Sequence, residues 1–463
     1  VKERWLVREL FSLEAWRRLA LSFQHRLLRG RSLLGGRWQV LILSVVVYAF
    51  ILVGLRYFKG DLLVLALAAA VFLASAVLQY PPKPQVSAAR RLSAQRVVEG
   101  SDIRVEVELY NQGERLSLVE IEDHLSEGMD VVDGDSKHLL SLKPGQGYIL
   151  KYTLRARRGV YRFSHLDIRA HDPLGLISNS VQVEAEADLW VLPKTTSLAG
   201  LHLCPRQTIG TAGYVPARVG GPGVSFYGVR GYQTGDEMRW INWKASQRRP
   251  GEIYTNEFEQ ERAANVGIIL DLRQATHFVV NGHSLFEYAV TAAASLAETL
   301  LAEGNRVGLM LYGQYLDWTY PGYGKLQRER ILQALARAHV GESYILNHLK
   351  YMPTRLFAAR SQLILVSPLV KDDVDYLVWL RARGYAVLLV SPNPVAFELA
   401  AQKSADDDLI LAGRLAHLER ELLVQKLQRA GVQVLDWDVR QPLDQIIRAY
   451  GRVLRQATAG VWQ

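Results

Sequence analysis

Residues 226–246 read Phe226-Tyr-Gly-Val-Arg230-Gly-Tyr232-Gln-Thr-Gly235-Asp236-Glu-Met-Arg239-Trp-Ile-Asn-Trp243-Lys244-Ala-Ser, a block of aromatics, glycines and opposite charges. Arg230, Arg239 and Lys244 have carboxylates to pair with in Asp236 and Glu237, and in Glu257, Glu259 and Glu261 further on. Guanidinium–carboxylate pairs are directional and often bidentate, so such a block is suited to fixing geometry. Thr234-Gly235-Asp236 reads as a turn. Two roles remain open for the block: a folded brace joining two domains, or an anion-binding or partner-docking surface.

Other chemistry is sparse. Asn281-Gly282-His283-Ser284 sets a His beside a Ser, but adjacency in sequence is not triad geometry, and Ser284 is expected to cap a helix. Gly322-Tyr-Gly-Lys325 lacks the spacing of a phosphate loop. Asp372-Asp373 and Asp406-Asp407-Asp408 read as helix starts or solvated faces, and the 11 His show no pair at zinc-ligand spacing. The single Cys204 excludes an intramolecular disulfide and a cysteine-based zinc site. No acid–base or nucleophile set emerges, so no enzyme is expected.

The elements that must position these residues fall into three parts. From residue 264 apolar runs alternate with helical segments. Strands are expected at Val266–Leu270, Val307–Leu311, Leu363–Val366, Ala386–Val390 and Val432–Leu435, and helices at Leu285–Ala302, Lys325–Ala338, Val374–Arg383, Leu411–Arg429 and Leu443–Ala457. That pattern implies a parallel sheet covered on both faces, over residues 264–463. In such folds functional residues gather at the C-terminal strand ends, where Asp271, Ser367 and Ser391 stand.

Over residues 86–193 the repeat shortens to two. Ile103, Val105, Val107 and Leu109 alternate with charged residues, and similar runs occur at Val119–Glu122, Tyr148–Ala156, His165–Arg169 and Val181–Glu184. Several short strands over about 100 residues suggest an immunoglobulin-like β-sandwich. Residues 194–263 link it to the α/β part and contain the signature block.

The first part, residues 1–80, concentrates the charge. The chain of 463 residues carries a net +9 from 55 Lys and Arg against 46 Asp and Glu. Residues 1–100 hold 15 basic and five acidic groups, so the other 363 residues hold 40 and 41, a net −1. A neutral body argues against bulk capture of nucleic acid as its function class. Trp38–Leu55 is free of charge, as is the segment of 21 residues between Asp61 and Lys83, and only Arg56–Asp61 separate the two apolar runs. Runs of this length can cross a bilayer. They predict a transmembrane hairpin over 38–80.

Positive charge flanks the outer ends (Arg18, Arg26, Arg29, Arg31 and Arg37; Lys83, Arg90, Arg91 and Arg96) against Arg56 and Lys59 in the loop, which predicts both termini in the cytoplasm of a two-pass inner-membrane protein. Residues 1–37 form a basic segment. Within it Leu6, Leu10, Leu13, Trp16, Phe23 and Leu27 recur at helical spacing, as in an amphipathic helix on a lipid surface. Val1 in place of Met fits an alternative start codon or a trimmed chain.

The signature block resembles the Domain of Unknown Function 58 family, whose pattern is Val-Arg-x-Tyr-x-x-Gly-Asp-x-x-Arg-x-Ile-x-Trp-Lys-Ala. Arg158-Gly159-Val160-Tyr161 and Asp172-Pro173-Leu174-Gly175-Leu176 are similar to that family's sandwich motifs. The resemblance implies a von Willebrand factor A-like C-terminal domain. It also implies an adaptor or scaffold working with a MoxR-type AAA+ ATPase in assembling or maturing some client protein. A metal-assisted or hydrolytic enzyme on the same fold is the alternative.

Von Willebrand A domains often hold Mg²⁺ through Asp-x-Ser-x-Ser after the first strand, with further oxygens from later loops. This chain reads Asp271-Leu272-Arg273-Gln274-Ala275, and Ser367-Pro368 follows the strand where that family places an Asp. A hard cation needs several oxygen ligands, and here a cation and a methyl group replace both serines. The expectation is a degenerate metal-ion-dependent adhesion site at Asp271, Arg273, Ala275 and Ser367, with no Mg²⁺ and no other cofactor.

Overall fold

The computed structural model describes residues 37–58, 60–173, 177–199, 215–249, 251–262, 264–343, 346–358, 361–401 and 407–450. The basic segment before residue 37, Leu174–Leu176, Cys204, Asp406 and the end of the last expected helix lie outside these residues. Two compact units divide the chain. The first includes residues up to 95 with 102–155 and 162–188; the second includes 96–101, 156–161 and residues from 189 onward.

In the first unit, α1 (Arg37–Tyr57) and α2 (Gly60–Leu78) form a helical hairpin. Val47 and Ala66 are buried, while Leu41, Val45, Tyr48, Leu55, Val64, Leu67 and Val71 are exposed. A Cβ on Gly54 would lie 2.8 Å from Leu63 Cδ2, so glycine is what lets the two helices approach there. The apolar stretches of the hairpin, Leu41–Tyr57 and Gly60–Ser75, run to 17 residues or fewer.

The strands that follow are β1 (Val86–Leu92), β2 (Arg96–Val98), β3 (Asp102–Asn111), β4 (Leu116–Asp123), β5 (Met129–Gly134), β6 (Lys137–Leu142), β7 (Gly147–Ala156), β8 (Gly159–His171) and β9 (Ser178–Leu192). They form two sheets, ordered β1-β3-β7-β5 and β2-β9-β8-β4-β6. Alternation explains the burial: Ile103, Val105, Val107 and Leu109 of β3 are buried, as are Leu150, Tyr152 and Leu154 of β7 and Val119 and Ile121 of β4. One polar cluster is buried with them. Arg90 donates to Asp123 through Nε (3.2 Å) and Nη2 (2.6 Å) and to the Ala185 carbonyl, and Tyr152 donates to Asp123 Oδ2 at 2.7 Å. Burial pushes the Asp123 carboxyl and the Tyr152 hydroxyl up.

In the second unit, the residues after 214 begin with a two-stranded antiparallel ribbon, β10 (Val215–Gly231) and β11 (Tyr254–Arg262). A short helix, α3 (Trp243–Ser246), lies in the connection. A six-stranded mixed sheet follows: β12 (Asn265–Leu272), β15 (Arg306–Gly313), β16 (Leu316–Gly322), β17 (Gln362–Val366), β18 (Ala386–Pro392) and β19 (Gln433–Trp437), with the small hairpin β13 (Val279–Val280) and β14 (His283–Ser284) beside it. Its order is β16-β15-β12-β17-β18-β19. All pairs are parallel except β15–β16.

Helices α4 (Leu285–Ala302) and α5 (Gly324–Arg337) and the helix over 443–450 share one core with Ile268, Leu270, Leu309 and Val390. Helices α6 (Asp373–Ala382) and α8 (Asp407–Arg429) cover the opposite face with Ile269, Met310, Leu365 and Leu389. Between them in sequence lies α7 (Pro394–Ala401). Successive β12 residues thus serve opposite cores, which is why that strand is apolar throughout.

Among the described residues one helix, α4, is both long and apolar enough to cross a membrane, and 67% of that stretch is buried inside the α/β core.

Candidate functional site

In the signature block, Arg230 is the last residue but one of β10, and its Nη1 and Nη2 donate to Asp236 Oδ2 and Oδ1 at 2.8 and 2.7 Å. Gly235 supplies the positive φ of 111° that the turn requires. The Gln233 amide donates to Asp236 Oδ2 at 2.9 Å, and the Tyr232 amide to the Ile253 carbonyl at 2.8 Å, joining the turn to the chain that enters β11. Arg230, then the Gln233 amide, hold the Asp236 carboxyl below its ordinary value. Asn242 caps α3, accepting from the Ala245 amide at 3.0 Å, while its Nδ2 donates to Asn256 Oδ1 at 2.7 Å.

The rest of the block faces outward. Arg239 pairs with neighbouring Glu237 and lies 5.6 Å from the Trp240 ring centroid. Met238 and Trp243 are exposed, Trp243 to 65%. Lys244 is exposed and makes no ion pair among the described residues. The two roles open in the sequence therefore fall on different residues. Arg230, Gly235 and Asp236 fold the turn, Tyr232 ties it to β11, and Arg239, Trp243 and Lys244 are surface. Glu257 approaches Arg230 at 3.6 Å, and the side chains of Glu259 and Glu261 lie outside the described residues.

The second group sits where the sheet order reverses. β12 is followed in sequence by β15 on one side, and the chain then crosses to β17 on the other, which opens a crevice at the C-terminal ends of β12 and β17. Asp271 is the last residue but one of β12 there and Ser367 follows β17; the Ser367 hydroxyl donates to Asp271 Oδ2 at 2.7 Å. Arg273 turns back into the crevice. Its Nε and Nη2 donate to the two Asp271 oxygens at 2.9 and 2.8 Å, and its Nη1 and Nη2 to those of Asp373 at 3.0 and 2.6 Å. Nη1 also reaches the Asn347 carbonyl at 3.3 Å, and the Arg273 amide donates to Asp271 Oδ1 at 3.0 Å. Asp271, Arg273, Ser367 and Asp373 are all buried.

Burial alone would push the Asp271 carboxyl up, but hydrogen bonding and charge from Arg273 outweigh it and hold the group below its ordinary value. At Asp373 burial prevails over the same guanidinium, and its carboxyl lies above the ordinary range. The Arg273 guanidinium is pushed further up by its two carboxylates, against the effect of burial. His277, whose Nε2 is 2.7 Å from the Asp271 carbonyl oxygen, is pushed down by burial.

The oxygens that could serve a hard cation are thus engaged by a guanidinium held between them. This donor set does not fit a resident divalent ion, since the cation's place is taken by a side chain of the same loop. Ala275 is exposed and adds no donor. A cavity of about 310 Å³ lies beside Arg273, lined in part by Gln274, Glu342, Ser343 and Asn347.

Two further arginines serve the same domain. Arg420 of α8 donates to Asp436 (3.0 and 2.7 Å), to Ser391 Oγ (2.8 Å) and to the Pro368 carbonyl (2.7 Å), so Ser391 is an acceptor in an ion-pair cluster. Arg158 makes a bidentate pair with Glu287 at 2.8 and 2.8 Å. Its Nη1 also donates to the carbonyls of Leu335, Ala336 and Ala338 at 2.7, 3.1 and 2.7 Å, closing the C-terminal end of α5.

Asp271 and Ser367 meet as their strand-end positions suggest. Asp373 is different: it reads in sequence as a solvated helix start, yet the first turn of α6 buries it against Arg273. A guanidinium with five donors beside one carboxylate is the signal that a second acceptor is needed. Ser284 occupies the N-cap position of α4, but its side chain makes no capping hydrogen bond.

A curated relative, the "Uncharacterized protein YeaD" of Bacillus subtilis (strain 168), is 28% identical over 228 residues, 48% of this chain and 55% of its own length. The chain therefore spans about half the length of that relative. Among solved structures, the non-cellulosomal cohesin of the hyperthermophilic archaeon Archaeoglobus fulgidus matches at 18% identity and a TM-score of 0.17, covering 23% of this chain and 91% of that one. The cupredoxin domain of amoB from Nitrosocaldus yellowstonii matches at 12% identity and a TM-score of 0.19, covering 28% and 100%. Likeness at these scores carries no argument. Residues 228–392, which hold the outward-facing part of the signature block and the Arg273 crevice, match the model of "Protein of unknown function DUF58".

Proposed function

We propose that the chain is a membrane-anchored, cytosol-facing adaptor or scaffold. In this reading the α/β unit is von Willebrand factor A-like, the strands before it form an immunoglobulin-like sandwich, and a MoxR-type AAA+ ATPase is the working partner in maturing a client protein. The observation that carries the proposal is the Arg273 guanidinium between Asp271 and Asp373. It fills the position where an open α/β sheet would bind a ligand, which turns recognition toward outer surfaces. The exposed Arg239, Trp243 and Lys244 of the signature block supply such a surface, since aromatic and arginine side chains dominate binding hot spots.

The anchor reading rests on the α1–α2 hairpin. Its exposed leucines, valines and tyrosines would be costly in water, and a lipid phase removes that cost. Its apolar stretches are short for a typical span, which local bilayer thinning accommodates.

The test is a detergent pull-down of the full chain with identification of bound proteins by mass spectrometry. An AAA+ ATPase should co-purify with the wild type and be lost with Arg239→Glu or Trp243→Ala. Undiminished recovery with both variants overturns the docking surface. Release of the protein from membranes by alkaline carbonate would remove the anchor.

A further inference from the structure

The 23-residue helix α8 carries two apolar stripes where a surface helix ordinarily has one. The inner stripe, with Leu423, Val424 and buried Leu427, belongs to the α/β core. The outer stripe is Leu411, Leu415, Leu418 and Leu422, exposed to 66, 60, 56 and 66%. Steps of four, three and four residues put these leucines on one line about 16 Å long, and that period is the seam of paired helices. If Leu411 and Leu418 take the d positions and Leu415 and Leu422 the a positions, Arg414 and Glu421 fall at g, and Glu419 and Lys426 at e. All four of these charged residues are exposed.

We propose that this stripe pairs two copies of the chain through a parallel, in-register helix dimer. The choice of occupant rests on charge. In a parallel pair each g residue faces the e residue five positions later on the other helix. Arg414 then meets Glu419 of the second copy and Glu421 meets Lys426, and the twofold axis repeats both contacts. The flanks are therefore complementary to themselves. Lys426 turns from Asp375, its neighbour at 2.8 Å on the surface, to do so. The antiparallel arrangement matches fewer charges: it sets Arg414 near Glu421 but leaves Glu419 opposite Ala412.

The experiment uses the full chain in detergent, with its mass measured by light scattering. The wild type should be a dimer, and Leu418→Glu a monomer with unchanged thermal unfolding, because the leucine is exposed. Arg414→Glu and Glu419→Arg should each raise the dimer Kd about tenfold, and the double variant should restore it. In a Cys204→Ser background, Leu411→Cys should form a disulfide-linked dimer on mild oxidation; in an antiparallel pair the two sulfurs would stand about 16 Å apart. A monomeric wild type overturns the proposal, and is the result expected if residues 1–36, a lipid surface or an unrelated protein covers the stripe. So does a dimer indifferent to Leu418→Glu, or one in which Glu419→Arg fails to rescue Arg414→Glu.

Discussion

Arg273 and Asp373 stand 100 residues apart in sequence and face each other as a buried bidentate pair, with Nη1 and Nη2 at 3.0 and 2.6 Å from the two carboxylate oxygens. The same guanidinium holds Asp271, so one side chain joins the end of β12 to the start of α6. Two buried carboxylates share one cation, which makes each partner's removal costly in its own way.

Arg273→Ala leaves both carboxylates buried without a counter-charge. Breaking a buried pair by removing one partner costs about 3–5 kcal/mol, and the expected outcome is a loss of that order in chemical unfolding. Arg273→Lys should recover only part of it, since an ammonium cannot span two carboxylates bidentately. Full stability in the Lys variant would mean that charge alone matters here.

The pH dependence follows from Asp271. Its folded pKa lies below the unfolded value, so its stabilising contribution is complete above the ordinary carboxylate range and is lost as pH falls through the folded pKa. The stability gap between wild type and Asp271→Asn should be widest near neutral pH and should close below about pH 4. Thermal melts of both proteins across that range measure it; a gap that widens on acidification contradicts the assignment.

Arg158 has a different kind of partner. Its side chain is 6% exposed and donates to three carbonyls at the end of α5 as well as to Glu287, which is 44% exposed. Arg158→Ala should cost about 2 kcal/mol, mostly from the carbonyls left without a donor. Glu287→Gln should cost under about 1 kcal/mol, as expected of a pair that water screens. Equal losses for the two variants would place the energy in the ion pair.

Within the signature block, fold and surface should separate. Arg230→Ala and Asp236→Ala release the turn and should speed limited proteolysis between β10 and β11 several-fold. Trp243→Ala and Arg239→Glu leave the turn's hydrogen bonds intact and should leave the cleavage rate unchanged. Equal sensitivity across all four variants would show that the exposed residues are part of the brace.

Much of the α/β unit is legible because its central strands are continuous apolar runs: β12, β15, β17 and β18 each include the expected stretch, and β19 includes all of its own but Val432. β16 is not, because an antiparallel edge strand reading Leu-Asp-Trp-Thr-Tyr-Pro-Gly has one side in water and no period of its own. β5 escapes for the same reason, with one buried residue in six. At the crevice, strand-end position identifies Asp271 and Ser367. Asp373 sits in a Lys-Asp-Asp run whose local character is that of a helix start, and only the tertiary approach of Arg273 gives it a second role. Arg158 likewise reads as part of a sandwich motif, and its hydrogen bonds at the end of α5 depend on contacts about 180 residues along the chain.

Because the charge between Asp271 and Asp373 is carried by a side chain, its presence is decided when the chain is synthesised. A bound ion would come and go with its concentration, compete with other ions and yield to a chelator, whereas Arg273 has no dissociation constant. The crevice therefore has no titration with the ionic content of the cell.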